Sequence, residues 1–314
     1  MRVGITGIGR MGAAIGERLL QHGHDLSVWN RSASKLEPLR RAGARVAATP
    51  AALAAGSDVV MSLLTDAAAI DAVYRGAEGL LAADVRGKVF LEMSTVRPAV
   101  HLALAQEASR RGAAYLDCPV GGTVTPARAG QLLALVGGAA ADLERVRPLL
   151  AQLTRRIEHL GPVGSGARVK LAMNLMMQVC WQSFGEAMAL CSPLGLAPER
   201  LVEVFSSASG VPPGLAHRLP SIAQALHGAG IAPVNFDVDA VRKDMRTMVE
   251  EARALGLSIP VAERALECFD AVSAAGRGGE DCAMLSVRWM LDALGRQQTG
   301  GPPGESVPGV KENR

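Results

Sequence analysis

A chain of 314 residues is long enough for two domains. Hydrophobic residues make up 49% of it but aromatics only 3%, so Ala, Val, Leu and Met must fill the core. The net charge of +3 comes from Lys and Arg scattered among Asp and Glu, which gives no support for a nucleic-acid surface and leans toward small anionic ligands. The five cysteines (Cys118, Cys180, Cys191, Cys268 and Cys282) are odd in number and contain no C-x-x-C pair. The pattern argues against a disulfide framework and against zinc, and reads as free thiols in a reducing compartment. The opening "MRVGITGIGR" is too short in apolar run to be a signal peptide, and no run of 18 uncharged apolar residues suggests a membrane span. The cytoplasm is the expected compartment.

Up to about residue 163, short apolar runs alternate with helical patterns. "RVGIT", "LSVWN", "DVVMSLL", "KVFLEMS", "AAYLDCPV" and "LLALVGG" read as strands. "MGAAIGERLLQHG", "SASKLEPLRRAG" and "RPAVHLALAQEASRRG" read as helices between them. This alternation predicts βαβ units and a mostly parallel sheet, with an antiparallel edge from "LLALVGG" to "RRIEHLG". From there strand signals nearly vanish. A long helix over 167–191 stops at Pro193 and Gly195, and further helical segments follow. The expected division is a nucleotide domain over 1–163, a helical domain over 164–296 and a disordered Gly/Pro-rich tail over 297–314.

"VGITGIGRMG" places Gly7-x-Gly9-x-x-Gly12 between a strand and a helix. In that context the first glycine permits a tight turn, the second lets backbone approach a pyrophosphate, and the third permits helix–strand packing. Free N–H groups at the helix start would face the anion. About twenty residues on, an NAD-selective site places a carboxylate for the ribose 2′-hydroxyl. Here the stretch is "VWNRSASK", with Asn30, Arg31, Ser32 and Lys35. A guanidinium beside a hydroxyl suits a 2′-phosphate, so NADP(H) is favoured and NAD(H) remains possible. Arg31 stacking on adenine or facing water is the alternative.

The long helix carries Lys170, Asn174, Gln178, Gln182 and Glu186 on one i, i+4 row. Taken alone, such a row reads as a solvated stripe. Its position argues for a second reading. A helix leaving a nucleotide domain starts near the carboxyl ends of the strands, where ligands bind. Reduction of a carbonyl also needs an acid, a role Lys170 can fill, with the Asn174 amide to orient a substrate oxygen.

With these residues in view, residues 2–292 resemble the β-hydroxyacid dehydrogenases, the group of 3-hydroxyisobutyrate dehydrogenase and tartronate semialdehyde reductase. The resemblance rests on "GITGIGRMG", "EMSTVRP", "DCPVGGTVTPARAGQL", "GSGARVKLAMN" and "RKDM" after "NFDVD". It implies an α/β chain: an N-terminal Rossmann-type, doubly wound sheet followed by an all-α domain, with the active site in the cleft between them. It implies that Lys170 is the catalytic acid/base. Thr95, Gly122, Thr123 and Asn174 would bind the substrate, Thr95 lying also against the nicotinamide. Gly7, Ile8, Gly9, Arg10, Met11, Asn30, Arg31, Ser32, Leu64, Thr95 and Lys243 would contact the cofactor, with Asp244 supporting the Lys243 segment. The long helix would join the domains and help a homodimer or homotetramer form.

The reaction so implied is hydride transfer between NAD(P) and a small hydroxy acid, giving its semialdehyde or keto acid. Departures touch the substrate end. Gly121 replaces a serine, Thr123 a glycine, Pro126 a later glycine, and Cys282 a tryptophan. Gly122 stands where a sulfonate-accepting branch has arginine. The related imine reductases usually carry Asp or Tyr at the lysine position, and non-catalytic dinucleotide-binding relatives lose the lysine. Lys170 argues against both.

Overall fold

The computed structural model describes residues 1–207 and 210–299. From residue 300 on, the tail expected over 297–314 lies outside the described residues. The described part forms two compact units, Met1–Leu171 and a second beginning at Ala172.

In the first unit, β1 (Arg2–Thr6), α1 (Arg10–Gln21), β2 (Asp25–Trp29), α2 (Glu37–Arg41), β3 (Arg45–Val46), α3 (Pro50–Gly56), β4 (Val59–Ser62), α4 (Ala67–Arg75), β5 (Val89–Glu92), α5 (Pro98–Arg110) and β6 (Ala114–Asp117) follow one another. Their strands pair in parallel in the order β3-β2-β1-β4-β5-β6. The order reverses between β1 and β4, and ligands bind outside the carboxyl ends of strands at such a reversal. Alternation along each strand feeds two cores. Val59 and Met61 join Ile5, Ile15 and Leu19 on one face, while Val60, Phe90 and Tyr115 pack with Leu53, Ile70 and Leu104 on the other. Strands buried on both faces read as unbroken apolar runs, as "DVVMSLL" does.

The sequence reading passed over α3 and α4. Both are short, but each has a side-chain cap: Thr49 Oγ1 accepts from the Ala52 N–H at 3.1 Å, and Asp66 from the Ala69 N–H at 2.8 Å.

The expected antiparallel edge needs correction. β7 (Val120–Gly121), α6 (Val124–Arg128), β8 (Leu132–Val136), α7 (Ala140–Leu153) and β9 (Thr154–His159) build a separate three-stranded sheet, β7-β8-β9. β7 runs antiparallel to β8, but β9 pairs parallel to β8. The fourteen-residue helix α7 supplies the crossover that parallel pairing requires.

α8 (Ser165–Leu190) starts in the first unit and continues into the second. The second unit adds α9 (Pro198–Ser206), α10 (Pro213–Ala216), α11 (Leu219–Leu226), α12 (Val238–Ala254), α13 (Pro260–Val272) and α14 (Met284–Thr299). Its contacts include Phe184 against Phe205, edge to face at 5.4 Å, and a 2.6 Å hydrogen bond from Ser286 Oγ to the Trp181 carbonyl. Among the described residues no helix is long and apolar enough to cross a membrane. The five cysteines are free; Cys118, Cys268 and Cys282 are buried.

Candidate active site

The loop after β1 is built as a cradle. Gly7 has φ +88°, and a Cβ there would lie 2.2 Å from the Leu63 carbonyl oxygen. A Cβ on Gly12 would lie 2.2 Å from the Gly7 carbonyl oxygen, so α1 can approach β1 only without a side chain. Over Gly9 nothing lies within 4 Å of that position, and the residue is exposed. Gly9 caps α1 without any side-chain hydrogen bond. Bare backbone at a helix start, open to the outside, suits a pyrophosphate. Arg10 is exposed and Met11 half-buried beside it.

Asn30, at the end of β2, spends its amide on this loop. Its Oδ1 accepts the Ile8 N–H at 3.0 Å, and its Nδ2 donates to the Ser32 carbonyl at 3.0 Å. Asn30 therefore ties the glycine loop to the turn carrying Arg31 and Ser32, both of which are exposed. The described residues at this turn offer a guanidinium and a hydroxyl, with no carboxylate, to a ribose or its 2′-phosphate. The cradle and the turn together fit a dinucleotide.

Next to the cradle, the Leu64 N–H donates to Ser94 Oγ at 2.7 Å, and the Ser94 N–H donates to Glu92 Oε1 at 2.9 Å. Glu92 and Ser94 are buried; Thr95, half-buried, follows them at the end of β5. Gly122 and Thr123 are exposed in the turn after β7.

The start of α8 is held by a residue the sequence reading passed over as part of a motif. Asp117 ends β6, is fully buried, and accepts the Gly164 N–H at 2.7 Å and the Ala167 N–H at 2.8 Å. Burial raises its carboxyl above the ordinary value, and the backbone N–H donors of the helix start oppose that rise. Lys170, half-buried, comes one turn later. The row from Lys170 onward is not a solvated stripe: Gln178 and Gln182 are buried, and only Glu186 at its far end is exposed.

Asn174, Lys243 and Asp244 meet. The Asn174 Nδ2 donates to Asp244 Oδ2 at 3.0 Å, and Lys243 forms an ion pair with Asp244 Oδ1. Asp244 is 3% exposed. One buried carboxylate on α12 thus orients the amide on α8 and anchors its own neighbour. Asp117, Glu92 and Ser94 were missed as working residues. The available signal was position: each lies at or just past a strand's carboxyl end.

Comparison with known proteins decides the family. Residues 2–161 match the model for the NAD binding domain of 6-phosphogluconate dehydrogenase. Residues 164–288 match the NAD-binding domain of NADP-dependent 3-hydroxyisobutyrate dehydrogenase. The chain belongs to the β-hydroxyacid dehydrogenase family. It is 32% identical over 279 residues to glyoxylate/succinic semialdehyde reductase 2, chloroplastic, of Arabidopsis thaliana, covering 89% of this chain and 76% of that one. A crystal structure of 3-hydroxyisobutyrate dehydrogenase from Salmonella typhimurium superimposes with a TM-score of 0.81 at 25% identity, covering 92% of this chain and 99% of the other. The structure of Psf3 in complex with NADP+ and 2-OPP does so with a TM-score of 0.80 at 29% identity, covering 90% and 98%. This β-hydroxyacid dehydrogenase family member is an NAD(P)-dependent oxidoreductase.

Proposed function

We propose that the enzyme interconverts a small hydroxy acid and its semialdehyde or keto acid, with NADP(H) preferred over NAD(H), and that Lys170 handles the alcohol proton. The observation that carries this reading is the Asn174–Asp244–Lys243 cluster one helical turn from Lys170. It brings an ammonium on α12 together with an oriented amide on α8.

A nicotinamide cofactor, when bound, would supply the site with a hydride donor or acceptor. In the oxidation, Lys170 in its neutral form takes the hydroxyl proton as the carbonyl forms; in the reduction it returns that proton to the oxygen. Asn174, held by Asp244, donates from its amide to a substrate oxygen. Thr95 and the backbone N–H groups of Gly122 and Thr123 receive the substrate's anionic group. Gly7, Ile8, Gly9, Arg10 and Met11 hold the pyrophosphate. Arg31 and Ser32 hold the 2′-phosphate on a turn that Asn30 fixes, while Leu64, Thr95 and Lys243 serve the nicotinamide end.

The preference for NADP(H) is supported by a guanidinium and hydroxyl at the end of β2 where an NAD site has a carboxylate. A homodimer or homotetramer is supported by Met176 and Leu190, which leave α8 with exposed apolar side chains. The cytoplasm remains the compartment in this reading.

The test is NADP⁺ reduction against a panel of small 3-hydroxy acids, with wild type and Lys170→Met side by side. Wild type should turn over at least one. The variant should lose about 10²- to 10⁴-fold in kcat, the range for a general acid–base, while still binding NADPH. Equal rates for the two would remove Lys170 from the mechanism.

A further inference from the structure

Glu92 is the last residue of β5 and has no exposed surface. Burying a carboxyl is costly, and a residue that only filled space here would be apolar. Glu92 instead makes directed contacts. Its Oε1 accepts the Ser94 N–H at 2.9 Å, and Ser94 Oγ accepts the Leu64 N–H at 2.7 Å. Leu64 in turn borders the glycine cradle: a Cβ on Gly7 would lie 3.1 Å from Leu64 Cδ2. One buried group is therefore linked through Ser94 to the loop after β4, which touches the loop after β1.

The strand order gives these turns a direction. With the adenosine ribose at the end of β2 and the pyrophosphate over β1, the rest of a dinucleotide extends over the carboxyl ends of β4 and β5. Leu64 and Ser94 sit at those two ends. We infer that Glu92 is a positioning residue for the nicotinamide half of the cofactor, fixing the Ser94 turn through its carboxyl and the Leu64 backbone through Ser94. This rests on the dinucleotide reading above.

The second carboxyl oxygen, Oε2, has no hydrogen-bond partner, so the contact to Ser94 is the one a substitution must preserve. Glu92→Gln keeps an acceptor in the same place, whereas Glu92→Leu removes it. Ser94→Ala removes the relay to Leu64.

The experiment measures equilibrium binding of two ligands to the full chain. NADPH spans the whole site, and 2′-phospho-ADP-ribose lacks the nicotinamide half. Glu92→Leu and Ser94→Ala should weaken NADPH by about tenfold, the scale of one buried hydrogen bond. Both should bind 2′-phospho-ADP-ribose like wild type, which also shows that they fold. Glu92→Gln should restore NADPH binding. Unchanged NADPH binding in Glu92→Leu overturns the inference. So does an equal loss of both ligands, which marks a general structural role. A wild-type chain that binds neither ligand fails the dinucleotide reading, and this inference falls with it.

Discussion

Asp117 accepts the Ala167 N–H at 2.8 Å, joining the end of β6 to the first turn of the helix that carries Lys170. The same carboxyl takes the Gly164 N–H at 2.7 Å. A buried acceptor at a helix start satisfies orphan backbone donors and complements the helix dipole. Asp117→Ala leaves both donors buried and unpaired. It should cost about 3 kcal/mol, read as a lower urea midpoint at unchanged m. At temperatures where the variant is folded, kcat should fall while NADPH affinity stays near wild type, because the Gly7–Gly9 cradle is built by other elements. A loss confined to NADPH affinity would sink this account.

Asn174 and Asp244 act on one another through a single 3.0 Å bond, so their effects should not add. We expect Asn174→Ala and Asp244→Ala each to lower kcat/KM by at least about tenfold. The double variant should be little worse than either, a coupling of about 1 kcal/mol or more in a double-mutant cycle. Simple additivity would mean that Asp244 serves Lys243 alone, through their ion pair.

Arg31 is exposed on the turn that Asn30 fixes. If it holds a 2′-phosphate, Arg31→Ala should raise KM for NADP⁺ by about 10- to 100-fold and leave KM for NAD⁺ nearly unchanged. The measurement is the ratio of kcat/KM for the two cofactors. An equal loss on both would assign Arg31 to the adenine or to the pyrophosphate.

How far the sequence carried the reading varies along the chain for physical reasons. The main strands and the long helices were legible because a strand buried on both faces is an apolar run, and an extended helix keeps its period. α3 and α4 were not, being 7 and 9 residues long. The parallel pairing of β9 was hidden because "RRIEHLG" alternates like an edge strand, and register belongs to its partner, not to itself. The glycine cradle could be read at once, since its spacing is local. The contacts of Asp117 with Gly164 and of Asn174 with Asp244 span 47 and 70 residues, and no local pattern encodes them. The row from Lys170 to Glu186 shows the same limit. Its polarity was visible, but the burial of Gln178 and Gln182 depends on other elements.

Glu92 gives the chain a pH dependence whose sign can be worked out. Burial pushes its carboxyl from 4.5 to about 7, against the pull of its hydrogen bonding to Ser94 and of the nearby Tyr74 and Ser62 hydroxyls. Those two hydroxyls lie 2.9 Å from one another. The other titratable groups around it are Tyr115 and Asp117 on β6, with His101 bonded to Tyr115 at 2.9 Å. Burial holds both tyrosines well above their usual value and His101 down at about 4, so none of these three changes charge between pH 4.5 and 7. In that window the unfolded chain ionises Glu92 and the folded chain does not, so the unfolded state binds fewer protons and stability falls as pH rises. The contribution present below pH 4.5 is lost by pH 7, a difference of about 3 kcal/mol. Glu92→Gln removes this group's titration from both states. Its stability relative to wild type should therefore climb between pH 4.5 and 7.5, whatever its offset at the acid end. Paired urea titrations of the two proteins across that range measure the difference directly. A flat or falling difference would show that Glu92 is ionised in the fold at neutral pH.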